Sequence, residues 1–207
     1  MPAPDLAERR TRAGRLKMLL VLAVCAAPVV ASYFTYFVIR PQARTNYGTL
    51  IEPTRPLPAE GWRRLDGSAL PVAALKGQWL LVTVSGAQCD AACDKRLFMQ
   101  RQLREMLGRE RDRLDKLWIV TGEGDPPAAL RSAAESVAGM LIVRAERAQV
   151  ERWLQPEPGH ALEEHLYVVD PMGEWMMRMP ADADPAKVKR DLERLLRASA
   201  GWDRPGR

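Results

Sequence analysis

Apolar positions along the chain fall into three regimes: one unbroken run, one stretch with no period, and a body in which strand-like and helix-like patterns alternate. Residues 18 to 39, MLLVLAVCAAPVVASYFTYFVI, carry no charge. At 1.5 Å per residue they are long enough to cross a hydrocarbon core of about 30 Å. The run continues through Tyr33, Phe34, Tyr36, Phe37, Val38 and Ile39. That exceeds the roughly 7 to 15 apolar residues of a cleavable signal, so an uncleaved signal anchor is expected rather than a peptide cut near VVAS. Cys25 follows Val24 where a lipidated cysteine follows a small residue, and it reads as helix filler.

Beyond the span, RPQARTNYGTLIEPTRPLPAEGW holds Pro41, Pro53, Pro56 and Pro58 and shows neither a helical nor a strand period. It reads as an extended linker over 40–57, with the folded body over 58–199 and a disordered tail at 200–207. Within the body, QWLLVTVS (78–85) is a nearly continuous apolar run rich in β-branched residues, the pattern of a strand covered on both faces. From Ala91 the period becomes helical, with Cys93, Leu97, Leu103, Met106 and Leu107 near one face. KLWIVTG (116–122) is a second buried strand, followed by a helix opening at PPAALRSAAESV, the apolar run GMLIVRA and a helix-like ERAQVERWL. HLYVVDPMGEWMMRM flanks the turn residues Asp170 to Gly173 with apolar runs and predicts an antiparallel hairpin. The last helix starts at Asp184 as N-cap with Pro185 after it, and stripes Val188, Leu192, Leu195 and Leu196 on one face. Strands alternating with helices and a closing hairpin predict an α/β fold with a central mixed sheet.

Charge adds direction. Arg9, Arg10, Arg12, Arg15 and Lys17 precede the span against only Asp5 and Glu8, so residues 1–17 form a basic cytoplasmic tail and the body lies outside. In a Gram-negative bacterium that compartment is the periplasm, an oxidising one, with the span in the inner membrane. The tail carries three of the five net positive charges, and a body at +2 has no nucleic-acid footprint. No Gly-rich phosphate loop, HExxH or nucleophile elbow occurs.

The chemistry concentrates in VSGAQCDAACDKRL (84–97), where Cys89 and Cys93 sit at the strand-to-helix junction. Helix positions i and i+4 bring Cα atoms about 6 Å apart, within disulfide range. Two thiolates on one helix face also suit soft Cu(I), and the positive end of a helix favours the thiolate. A plain structural staple is the third reading. Met172, Met176, Met177 and Met179 look like a soft-ligand group, but strand alternation splits them between faces and favours core filling. Lys95, Arg96, Arg101, Arg104 and Arg109 alternate with Glu105 and Glu110 and read as a solvated face.

The layout matches the thioredoxin fold, an αβα sandwich. More narrowly, LDG and LKGQWLLV upstream of the cysteines and YVVDPMGEW downstream resemble the Sco/SenC family of membrane-anchored copper-delivery proteins that assemble cytochrome c oxidase, over roughly residues 64 to 199. The resemblance implies Cu(I) on Cys89 and Cys93, a histidine third ligand, and a haem-copper oxidase subunit or another copper or thiol protein as partner. Two positions depart from it: Asp94 stands where the family follows its second cysteine with proline, and Leu162 stands where it has its histidine. His165, and less so His160, are then the candidate third ligands. The metal-free alternative is a thiol-disulfide oxidoreductase in which Cys89 attacks and Cys93 resolves the mixed disulfide. The remaining one is an interaction domain whose disulfide only clamps a loop.

Overall fold

The structure, a computed structural model, describes residues 5–39 and 46–202; within 5–13 and 38–39 only the backbone is described. Most of the 200–207 tail, the first four residues of the 1–17 tail and residues 40–45 of the 40–57 linker lie outside the described residues. The chain divides into two compact units, Met1–Thr45 and Asn46–Arg207.

In the first unit, helix α1 runs Asp5–Phe34 and passes into a π-helical turn at Thr35–Ile39. The stretch Gly14–Phe37 is long and apolar enough to cross a membrane, and its side chains are exposed, as a lipid-facing surface requires. Tyr33, Tyr36 and Phe37 cluster at its end, with Tyr33 and Phe37 ring centroids 5.1 Å apart, in the manner of an interfacial aromatic belt.

The second unit is an αβα sandwich on a six-stranded mixed sheet of order β1-β6-β5-β2-β3-β4. The strands are β1 (Thr49–Pro56), β2 (Trp79–Gly86), β3 (Leu114–Thr121), β4 (Met140–Ala145), β5 (Leu166–Val169) and β6 (Glu174–Arg178). β2, β3 and β4 are parallel, whereas β5, β6 and β1 add on antiparallel. Alternation along β2 and β3 sends Leu80, Val82, Val84, Leu117 and Ile119 to one face, with Trp62, Trp153, Tyr167 and Trp175. Trp79, Leu81, Leu114, Trp118 and Val120 go to the other, under α2 (Ala91–Met106), α3 (Ala128–Glu135) and α5 (Pro185–Ala198). The short α4 (Arg147–Trp153) covers the first face with Val150 and Trp153.

The expected hairpin and last helix form for the expected reasons. Asp170 Oδ1 accepts the amides of Met172 at 2.9 Å and Glu174 at 2.8 Å, and Gly173 takes φ +91°, a value its lack of a Cβ allows. Asp184 caps α5 by accepting from Ala186 N–H at 2.8 Å.

One boundary moves. Part of the stretch read as a linker is strand β1, which pairs Leu50 with Met177 and Arg55 with Trp175, so the folded unit begins twelve residues before Pro58, at Asn46. Pro53 and Pro56 are tolerated because β1 is an edge strand with an irregularity between Leu50 and Arg55. Gly48 is needed just before it, since a Cβ there would lie 2.8 Å from Met177 Sδ and 2.9 Å from Met179 Sδ.

Candidate functional site

β2 delivers the chain to the carboxyl end of the parallel strands, the edge where open α/β sheets place their ligands and chemistry. After Gly86 a tight turn, with Cys89 N–H donating to Gly86 C=O at 3.3 Å, sets Cys89 in left-handed backbone at φ +40°. Asp90 then caps α2, its carboxylate accepting Cys93 N–H at 2.8 Å, and the helix begins at Ala91. Cys93 is therefore the third residue of the helix, and it forms a disulfide with Cys89 across a Cα–Cα distance of 5.2 Å.

The two sulfurs differ in access. Cys93 is 2% exposed and packs with Ala87, Leu97, Trp118 and Val120, whereas Cys89 is half-buried at the surface of the same cluster. Trp118 is fixed in that floor by donating from Nε1 to Ser85 Oγ at 2.8 Å, and Thr121 Oγ1 donates to Ser85 C=O at 3.1 Å. The Cys89 sulfur is thus the more open of the two, and Cys93 lies at the amino end of α2, where unpaired N–H groups favour negative charge. Asp90 sets a carboxylate at that helix end, accepting Cys93 N–H, and tempers the field.

The imidazoles are not brought to the sulfurs. His165 is fully buried, and its ring stands beside Tyr167, which belongs to the core on the sheet face opposite α2. Both ring nitrogens are used: Nδ1 donates to Met179 C=O at 2.9 Å and Nε2 accepts Glu157 N–H at 3.1 Å. Burial holds its pKa below the usual histidine value, so the ring is neutral. His160, partly exposed, pairs through Nδ1 with Glu164, which raises its pKa, and its ring lies 5.6 Å from that of His165. Leu162 is a core residue, its carbonyl accepting the Tyr167 hydroxyl at 2.9 Å. Among the described residues, no three or more His, Cys, Asp or Glu side chains are grouped to hold a metal ion. No such group joins either imidazole to Cys89 and Cys93, which are disulfide-bonded. Met177 and Met179 are core residues under α5, as alternation suggests, whereas Met172 is exposed.

Residues 79–199 match the family model described as transmembrane-like, thioredoxin-like, C-terminal domain. The chain belongs to that family. Its thioredoxin-like fold is shared with solved Sco1 structures. Yeast Sco1 is 15% identical, with a TM-score of 0.57 over 72% of this chain and 97% of that one. Yeast Sco1 with copper bound is 15% identical, with a TM-score of 0.54 over 70% and 90%. Apo Sco1 from Thermus thermophilus is 16% identical, with a TM-score of 0.54 over 76% and 98%. No curated protein matches the sequence.

Two residues of the thioredoxin-like domain that position the site escaped the sequence reading. Gln100 reaches from α2 into the sheet, donating from Nε2 to the carbonyls of Leu81 and Leu117. Arg104, read as part of a solvated basic face, is 4% exposed; its Nε donates to Leu114 C=O at 2.9 Å and its Nη2 pairs with Asp112 at 3.1 Å. With Cys93 and Leu97 they fall at helical spacing on one stripe, and that spacing was the available signal.

Proposed function

We propose that the chain is a membrane-tethered thiol-disulfide protein of Sco type that serves assembly of a haem-copper oxidase, cytochrome c oxidase in particular, with Cys89 and Cys93 as its working sulfurs. The observation that carries the reading is the unequal access of the two sulfurs, Cys89 at the surface and Cys93 sealed at the third position of α2. The basic tail supports anchorage in an inner membrane with the domain on the periplasmic side.

In the reducing direction the Cys89 thiolate attacks one sulfur of a partner disulfide, forming a mixed disulfide and releasing the partner's other sulfur as a thiolate. Cys93, deprotonated, then attacks the Cys89 sulfur, the second partner thiolate leaves, and the Cys89–Cys93 disulfide closes. Two electrons pass to the partner, whose sulfurs take up the two protons. A second dithiol protein restores the reduced pair by the same exchange in reverse.

Cu(I) held between the two thiolates alone is a second form of the reading, favoured by two soft donors whose Cα atoms lie 5.2 Å apart. Equilibration of the full chain in detergent with thiol buffers tests the first form. A reduction potential above about −300 mV is expected, and one well below it marks a structural bridge. Anaerobic Cu(I) titration tests the second, which requires a one-to-one complex lost in Cys89→Ser and kept in His160→Ala and His165→Ala. The assembly role predicts that loss of the gene lowers haem-copper oxidase activity and that Cys89→Ser fails to restore it.

A further inference from the structure

A groove of about 310 Å³ starts at the disulfide end of α2 and runs along it against α3. Ala91, Leu97 and Phe98 form one wall, and Leu130, Ala134 and Val137 the other. α3 buries no residue completely, and Phe98 is 56% exposed, so apolar surface is left open between the helices. Such a patch beside a reactive site marks a contact surface.

The rim has a sign. Lys95 and Arg101 border the groove with Asp94, and the ammonium of Lys116 lies beneath it, donating to Ala138 C=O at 2.8 Å. Among the described residues neither Lys95 nor Arg101 has a carboxylate partner; Arg101 instead stacks on the Phe98 ring at 5.5 Å. Two cations without an ion-pair partner, with the one carboxylate of Asp94 beside them, leave the rim net positive over an apolar trough, which suits an acidic, apolar polypeptide segment.

We propose that this groove docks the segment flanking the reactive cysteine of the thiol partner, and that the segment is acidic and apolar. This rests on thiol exchange at Cys89. From Ala91 to Phe98 the helix advances about 10 Å. An extended strand covers that in about three residues, so the partner's apolar side chain sits about three positions from its cysteine, with a carboxylate next to it for Lys95 or Arg101.

The test uses the dithiothreitol-reduced full chain in detergent, freed of reductant, and three probes carrying the same nitrothiobenzoate leaving group. One is the small symmetric aromatic disulfide. The others are peptides, one with leucine three residues after the labelled cysteine followed by glutamate, the other with serine and lysine there. The acidic, apolar peptide is expected to react about tenfold faster than the basic one, the gain from partly burying one leucine. Phe98→Ala and Arg101→Glu each remove that preference and leave the rate with the small disulfide unchanged, while Phe98→Leu keeps it. Equal peptide rates with normal small-disulfide reactivity overturn the groove alone, and failure with the small disulfide overturns the thiol reading as well. A reduced chain that self-associates, and stops doing so in Phe98→Ala, assigns the groove to a second copy and also overturns the proposal.

Discussion

Trp118 is the residue through which the state of the disulfide can be read. It packs with Cys93 in one buried cluster, and a disulfide quenches a nearby excited indole by accepting its electron. Reduction of the full chain is therefore expected to raise tryptophan emission, and Trp118→Phe to remove most of the rise, measured by steady-state fluorescence. His165 carries the pH dependence. Burial, then Arg178 and His160, lower its pKa, against the hydrogen bond to Met179 and the charge of Glu157. Its unfolded pKa is about 6.5, so below that pH the unfolded chain binds the proton first. The contribution is complete above about pH 6.5 and is lost as pH falls through the lower folded value. His160 runs the other way: its hydrogen bond to Glu164 raises its pKa, so its contribution holds below about pH 6.5 and fades as pH rises through the folded value. The urea midpoint is expected to drop from pH 7 to pH 5, less in His165→Gln and more in His160→Ala. The pairing of the two sulfurs was legible from their spacing at a strand-to-helix junction, but the contacts of His165 were not. A histidine between acids and a strand looks the same whether its ring faces a metal or two backbone groups.

α2 shows how an element turns local chemistry into site geometry. Its start is legible in the helical period from Ala91, and the structure adds the N-cap, Asp90, whose carboxylate accepts Cys93 N–H at 2.8 Å. Asp90→Ala is expected to cost about 1 kcal/mol of stability by urea denaturation. It should also speed alkylation of the reduced chain by iodoacetamide at neutral pH, because a carboxylate that repels the thiolate is gone. The central strands were equally legible, since a continuous apolar run has few other uses. β1 was not, because Pro53 and Pro56 break its strand signature and only the neighbouring β6 rescues it, by leaving it an edge. The stripe of α2 misled for a related reason: Arg104 is charged, yet Leu114 C=O and Asp112 meet it beneath the helix, and no pattern on α2 names those partners.

At the scale of the molecule, residues 46–57 are part of the folded body. Asp191 on α5 is 2% exposed, and its Oδ2 accepts the amides of Tyr47 at 2.7 Å and Gly48 at 2.8 Å. β1 then shields the edge of β6, and its Leu50 packs on the Met177 side of the core. A fragment starting at residue 58 deprives a buried carboxylate of both amides and opens a strand edge; one starting at residue 46 keeps both. Charged hydrogen bonds contribute about 1.5 to 3 kcal/mol each, so the shorter fragment is expected to lose at least about 3 kcal/mol and to self-associate. The longer one is expected to unfold at the urea midpoint of the full chain in detergent. Asp191→Asn separates the two causes. It keeps an acceptor oxygen and removes the charge, so a loss of about half that size, with no self-association by light scattering, assigns the remainder to the strand itself.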